Sequence, residues 1–335
     1  MSRVLNNHPN IAPQTRERVL AVLSVSDYRP NELARSLITR KANAIGVVVD
    51  DVTNPFYPEL VDQLADMIAG NGYRLLLWKT SGDNSDELIR ALQARLVDGM
   101  IFTAAKLTSP AVTEVSARGH PLVLVNRYAQ NADVDKVFID TTSGARFAAE
   151  HLLSLGHTRI AIIGGLDQTS TNRDMTRGFV GALETAGLTA GEWQLRPSDY
   201  TYESGYRAAV QFITGNALPV TAIFAMSDAA AIGAMNAARA FGLRVPEDIS
   251  VVGFDDIAMA SWPMIQLTTV APVGQSLAGQ AVDLVLKRIK DPHRVPEQIE
   301  IASHLVVRQT TAPPPQPPKQ PRSLGGDQRG SGATA

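Results

Sequence analysis

From Ala44 onward the sequence alternates short apolar, β-branched runs with stretches of helical period, and no other feature limits the fold so tightly. The first run, "AIGVVVD", has apolar residues at successive positions and suits a strand covered on both faces. Strands are expected near 45–50, 73–78, 98–103, 121–125, 136–139, 159–163, 193–197, 221–225, 249–253, 267–270 and 299–307. Helices are expected over 57–70, 84–96, 110–118, 143–155, 173–187, 202–214, 228–241 and 274–290. Such a βαβα order builds parallel sheets with helices on both faces. The pattern then restarts, with "GHPLVLVNR" through "FIDTTSGARFAAEHLLSLGHTRIAIIGG" opening a second series, so two doubly wound lobes fit better than one wide sheet. Two such lobes facing each other enclose a cleft beyond the carboxyl ends of their strands.

Composition narrows the function classes. With 335 residues, 44% of them apolar, the chain can bury a sizeable core. It has neither a long apolar run nor a leader pattern, so no membrane partner is expected and the expected location is the cytoplasm. The absence of cysteine excludes disulfides and thiolate chemistry. A net charge of −2 hides an asymmetry, because residues 1–41 carry seven basic against three acidic side chains. A basic arm on an acidic body is the footprint of a phosphate-binding module, or else a solvated helical face. Within that arm, "PQTRERVLAVLSV" places Val19, Leu20, Val22 and Leu23 on one stripe of a short helix, with Pro13 in its first turn. Pro30 breaks the chain, and "NELARSL" suits one or two further turns that need a partner surface to stay folded.

Catalytic motifs are missing. The sequence contains no G-x-S-x-G elbow, no phosphate-binding P-loop and no H-E-x-x-H pair, and it reads as a protein without enzymatic activity, resident cofactor or metal. His151 and His157 suit structural or surface roles better than metal ligation, and "IIGG" suits a tight turn better than a phosphate loop.

Taken in order, "SRVLNN", "TRERVL", "YRPNELARSL", "AIGVVVDDVTNPFYPEL", "LVDGMIF", "HLLSLGHTRIAIIGG", "RGFVGALETAGL", "GLRVPEDISVVGFDD" and "LTTV" resemble the LacI family of bacterial transcription regulators, from residue 1 to about 311. The resemblance implies a helix-turn-helix DNA-binding head at 1–29, a hinge helix and linker at 30–43, and a core at 44–311 like that of periplasmic sugar-binding proteins. Its N-lobe would comprise about 44–141 and 271–301, and its C-lobe about 142–270 and 302–311, while the Pro/Gly/Ser-rich segment 312–335 is expected to be a disordered tail. By the same resemblance "SRVLN" ends the recognition helix, so the head reads as truncated, with residues up to about 28 loosely held. DNA contacts implied are Ser2, Arg3, Asn6 and Arg16 in the head, and Asn31, Ala34, Arg35 and Leu37 in the hinge. Leu37 matches a leucine that wedges into the minor groove, the alternative being that it packs on the core.

For the cleft, the resemblance implies an effector held by Asn54, Phe56, Tyr57, Asn126 and Arg127 from one lobe, and by Arg173, Met175, Ser227, Asp228 and Asp255 from the other. Two positions depart from the family pattern: Met175 stands where an arginine is usual, and Ser227 where asparagine is common. Retaining Arg127 and Arg173 would favour a sugar with a carboxylate or phosphate, unless both are surface ion-pair partners. The expected protein is thus a homodimeric, effector-responsive repressor of carbohydrate genes, whose partners are operator DNA and a small sugar or sugar acid. A sugar-binding protein without specific DNA binding is the alternative, and a sugar-modifying enzyme is disfavoured for want of an acid/base pair.

Overall fold

A computed structural model describes residues 4, 11–25, 41–80, 85–103, 105–215, 219–274 and 276–315. Helix α1 (Pro13–Val25) begins at the expected proline, and Val22 on its apolar stripe is 60% exposed.

The first lobe is built from β1 (Ala44–Val49), α2 (Phe56–Gly70), β2 (Arg74–Lys79), α3 (Ser85–Gln93), β3 (Gly99–Phe102), α4 (Pro110–Ala117), β4 (Leu122–Val125) and β5 (Asp135–Ile139). The second contains α5 (Thr141–Ser154), β6 (Ile160–Ile163), α6 (Ser170–Thr185), β7 (Trp193–Arg196), α7 (Tyr202–Thr214), β8 (Ala222–Ala225), α8 (Asp228–Ala240) and β9 (Ser250–Val252). After β10 (Thr269–Pro272) the chain forms α9 (Leu277–Lys290), β11 (Gln298–Ile301) and β12 (Ser303–Val306). A six-stranded parallel sheet, β11-β5-β4-β3-β1-β2, forms the first lobe, and a four-stranded parallel sheet, β7-β6-β8-β9, the second.

Each sheet is covered on both faces, as its apolar strands require. In the first lobe Ile45, Val47 and Val49 of β1 pack with Leu60, Leu64 and Ile68 of α2, while Val48 faces the opposite layer with Leu88 and Val112. The i, i+4, i+8 spacing of the α2 residues puts them on one stripe. In the second lobe Phe179 of α6 stacks on Phe224 of β8, ring centroids 4.3 Å apart. Helices α5 and α6 approach so closely that a Cβ at Gly178 would lie 2.0 Å from the Thr142 carbonyl oxygen, so only glycine fits there.

The expected strand over 299–307 is instead two strands that part at Ala302: β11 joins the first lobe's sheet, and β12 pairs antiparallel with β10. Alternation alone cannot reveal such a break, because the residues stay extended while their partners change. Here the chain crosses between lobes, as it also does after β5 and after β10. The three crossings are bonded to one another: Asp140 N–H donates to Ile301 O at 2.8 Å, Val273 N–H to Ala302 O at 2.8 Å, and Ser303 Oγ to Asp140 O at 2.9 Å.

The sequence reading placed Ala312 in a disordered tail, and the structure corrects this for 312–315. His157 is buried and its Nε2 lies 2.9 Å from the Ala312 carbonyl, while Ala312 N–H donates to Ser250 Oγ at 3.0 Å. A buried imidazole needs partners on both nitrogens, and this segment supplies one alongside Thr221 at Nδ1 and Ser250 at Nε2. The remainder of the expected tail, 316–335, lies outside the described residues.

A buried ion cluster closes the first lobe where α9 leads into β11. Asp135, fully buried, accepts from Arg288 Nε at 2.8 Å, Arg294 Nη1 at 3.0 Å and Glu297 N–H at 2.8 Å. Removing the carboxylate strands two guanidinium groups away from bulk water, so Asp135→Ala is expected to lower stability by about 3–5 kcal/mol, measured by urea unfolding.

Candidate functional site

The cleft lies where the strands of both lobes end at their carboxyl termini, the usual ligand position in open α/β sheets. From the first lobe come Asn54 of the β1–α2 loop, Phe56 and Tyr57 of the first turn of α2, and the residues after β4, Asn126 and Arg127. From the second come Thr171 and Met175 of α6, Tyr200 after β7, Met226 after β8 and Asp255 after β9. The space between them opens to solvent. A neighbouring recess shares Phe56 and Asp255 with it and adds Glu59, Gln63, Asp256 and Ser276.

Some of these groups are already bonded. Asn54 accepts from Phe56 N–H at 3.1 Å, holding the start of α2, and donates through Nδ2 to Tyr200 O across the cleft at 3.3 Å. The Tyr200 hydroxyl lies within 3.0–3.1 Å of the Thr169 and Thr171 hydroxyls. Its ring passes over Gly165, where a Cβ would lie 2.0 Å from Cζ. Phe56 and Tyr57 meet edge to face, ring centroids 5.3 Å apart. Tyr57 is buried, and burial pushes its phenol up to about 12, against the lowering effect of Arg127.

Arg127, Asn126 and Asp255 line the cleft with polar side chains that make no hydrogen bond among the described residues. Arg127 is 5% exposed, its Cζ lies 5.7 Å from the Tyr57 ring centroid and 5.3 Å from that of Tyr200, and its Nη1 is 3.9 Å from Asp50. Its Nε is buried with no hydrogen-bond partner among the described residues. Asn126 at φ +66° and Asp255 at φ +116° both occupy left-handed backbone, unusual for side chains and a feature that clusters at ligand sites. The Asp255 carboxyl is held well above the usual carboxylate range, by burial first and by the nearby Asp228 next.

Three expected contact residues do not line the cleft. Ser227 Oγ accepts from Ala230 N–H at 3.2 Å, capping α8, and donates to Tyr200 O at 3.0 Å. Asp228 is fully buried behind the wall, where its carboxylate takes the Thr269 hydroxyl and the Ile257 N–H, the latter at 2.9 Å. It therefore anchors the loop that carries Asp255. Arg173, 33% exposed, donates through Nη2 to the Tyr128 hydroxyl at 2.7 Å and through Nε to Asp174 at 3.1 Å. Conversely, Thr171, Tyr200 and Met226 line the cleft without having been singled out in sequence. Their position at the strand-terminal loops was the available signal, but it does not say which side chain turns inward.

Around Arg173 a clasp joins the lobes. The Tyr128 hydroxyl donates to Asp174 Oδ2 at 2.6 Å, Tyr128 N–H to Ser170 Oγ at 3.0 Å, and Leu107 N–H to Gln168 O at 2.8 Å. Elsewhere along the cleft Glu59 accepts from Ala258 N–H at 3.1 Å. Of the expected DNA contacts, Arg16 lies on α1, half-buried, whereas Ser2, Arg3, Asn6, Asn31, Ala34, Arg35 and Leu37 fall outside the described residues.

Two outcomes follow from this geometry. Tyr128→Phe removes a hydrogen bond to a charged acceptor and is expected to destabilise the closed arrangement by about 1.5–3 kcal/mol, seen as a larger radius of gyration in X-ray scattering with an unchanged far-UV spectrum. Asp228 is pushed up to about 8 by burial, against the lowering effect of the Thr269 and Ile257 bonds. A carboxyl raised on folding binds its proton more tightly in the native state, so its contribution is complete below the ordinary carboxylate range and lost as pH rises towards 8. In Asp228→Asn, Oδ1 keeps the Ile257 bond and Nδ2 donates to Thr269, so the melting temperature should lose that part of its decline between pH 5 and 9.

Known proteins share this architecture. Residues 1–31 match the family model of bacterial regulatory proteins of the lacI family, and residues 149–311 match a periplasmic binding protein-like domain. The HTH-type transcriptional regulator DegA of Bacillus subtilis is 33% identical over 318 residues, 93% of this chain and 94% of its own. A LacI family transcriptional regulator from Enterococcus faecium, solved with bound ribose, superposes with a TM-score of 0.73 at 28% identity, covering 81% of this chain and 99% of that one. The complex of the regulator CelR with cellobiose gives 0.74 at 29% identity, covering 92% and 94%. With a head segment, a two-lobed core and a relative aligned over nearly its whole length, this chain belongs to the LacI family of bacterial transcription regulators.

Proposed function

We propose that this protein is an effector-responsive transcription regulator, a repressor of carbohydrate metabolism genes, that acts as a homodimer in the cytoplasm. The observation that carries the reading is the cleft itself: aromatic rings from both lobes surround Arg127, whose buried Nε has no partner among the described residues, together with Asn126 and Asp255, the composition of a pocket for a small hydroxylated ligand. Relatives crystallised with ribose and with cellobiose support a sugar or sugar acid as that ligand. Asn126, Arg127 and Asp255 contact it, Phe56, Tyr57 and Tyr200 stack against it, and Met175 and Met226 close the floor. Arg173, Ser227 and Asp228 act at one remove, through the clasp and the loop that carries Asp255.

DNA recognition belongs to segment 1–29 and the hinge at 30–43, with Arg16, Arg3 and Arg35 on phosphates and Leu37 in the minor groove. Effector binding changes the angle between the lobes, and this shifts the hinge segments of a dimer between two states, a coupling of binding sites rather than a reaction. Among the described residues no helix is long and apolar enough to cross a membrane.

The test is a gel shift at two salt concentrations with DNA from upstream of the gene, against scrambled DNA of equal length. Specific retardation that weakens steeply with salt and responds to one sugar is the expected result. Equal retardation of both DNAs, with sugar binding intact, would instead support a sugar-binding protein without specific DNA recognition.

A further inference from the structure

We propose that the effector carries an acidic group, a carboxylate or a phosphate, and that Arg127 with Asn126 at the end of β4 is the pair that receives it. The inference rests on the effector reading above and narrows its chemistry.

Arg127 lacks the hydrogen-bonded anion that holds Arg288 and Arg308. Arg288 bonds Asp135 and the carbonyls of Pro292 and Arg294, and Arg308 bonds Asp256 and the Leu267 carbonyl. Both are thereby held by a hydrogen-bonded anion and by main-chain oxygens, even though Arg288 Nη2 is itself buried without a partner among the described residues. Arg127, 5% exposed, has Asp50 at 3.9 Å, beyond hydrogen-bond range, and a buried Nε without a partner among the described residues. The rings of Tyr57 and Tyr200 attract its charge, yet a ring face offers the N–H fork no in-plane acceptor.

Arg127 lines the cleft, and a bound ligand there can supply the acceptor. A neutral hydroxyl supplies a single acceptor oxygen and no counter-charge, whereas a carboxylate or phosphate offers two oxygens matched to the fork and balances the buried charge. The adjacent Asn126, turned by its left-handed backbone at the chamber edge, adds an amide donor on the same side. Across the chamber stands Asp255, whose carboxyl burial and Asp228 hold well above the usual range and which makes no hydrogen bond to Arg127 among the described residues. The ligand is thereby oriented, with its acidic end towards the first lobe and its hydroxyls towards Asp255.

Isothermal titration calorimetry on the full chain tests this with glucose, galactose and ribose, their aldonates and uronates, and their phosphates, using wild type, Arg127→Met and Arg127→Lys. The expected result is that one acidic form binds at least about tenfold more tightly than its neutral parent. Arg127→Met should erase that preference and Arg127→Lys keep part of it; which acidic form wins separates carboxylate from phosphate. A neutral sugar binding as tightly as its acidic forms would overturn the proposal and leave the effector reading standing. No binding by any sugar, neutral or acidic, would overturn both. If Arg127→Met fails to fold by far-UV circular dichroism, the wild-type ranking of acidic against neutral sugars decides alone.

Discussion

Three extended segments cross between the lobes side by side, and the hydrogen bonds among Asp140, Val273, Ile301, Ala302 and Ser303 make them one strap. Everything functional depends on that arrangement. A single covalent link would let the lobes separate freely, whereas three parallel links confine their relative motion to bending and twisting about the strap. Ligand groups on the two faces can then meet in only one register, and a small change of angle at the strap becomes a larger displacement at the far rim. The clasp of Tyr128 with Asp174 and Arg173 draws the second lobe against the first. Its two arms adjoin cleft residues in sequence, Arg127 before Tyr128 and Met175 after Asp174, so a ligand touching those neighbours bears directly on closure.

The buried polar groups divide into two kinds, and the division is what assigns roles. Asn54, Ser227, Asp228 and His157 have their hydrogen-bonding capacity met by backbone or by neighbouring side chains, and each of them fixes a loop, a helix start or the segment at Ala312. Buried polar groups without partners are costly, so a folded chain keeps few of them. Arg127 retains such an atom, as do Asp98, Trp193 and Arg288, but among these four Arg127 is the one that lines the cleft, beside Asn126 and Asp255 on backbone that side chains seldom adopt. Their common position, at loops following parallel strands, means that the fold brings Asp255 to the neighbouring pair Asn126 and Arg127, far from it in sequence.

Much of this architecture was legible in the residues. Apolar, β-branched runs such as "AIGVVVD" and "RIAII" specify strands buried on both faces, because no polar side chain interrupts them to mark a solvent side. The i, i+4 spacing of Leu60, Leu64 and Ile68 specifies a helix with one buried stripe. A restart of the series at "GHPLVLVNR" indicates a second lobe, although β4 and β5 stay in the first lobe's sheet and the chain first crosses after Ile139. The motif "TNPFY" located one wall of the cleft, since its residues follow directly on the end of β1.

Contacts between distant segments were decided only by the tertiary structure. The extended run 299–307 reads as one strand because local conformation is continuous through Ala302; the exchange of partners from β5 to β10 is a property of two sheets, not of the run. Ser227, Asp228 and Arg173 sit in motifs that border the cleft, but their side chains turn to a helix cap, a buried loop and an inter-lobe clasp, because those partners lie closer than the ligand space. Tyr200 enters the cleft through left-handed backbone that nothing in "PSDYTYES" announces, over a glycine 35 residues earlier in the chain, at Gly165. Sequence determines which segments are strands and helices, since that depends on neighbours along the chain. Which of their end residues face a ligand depends on what the other lobe brings opposite them, and only the folded structure contains that.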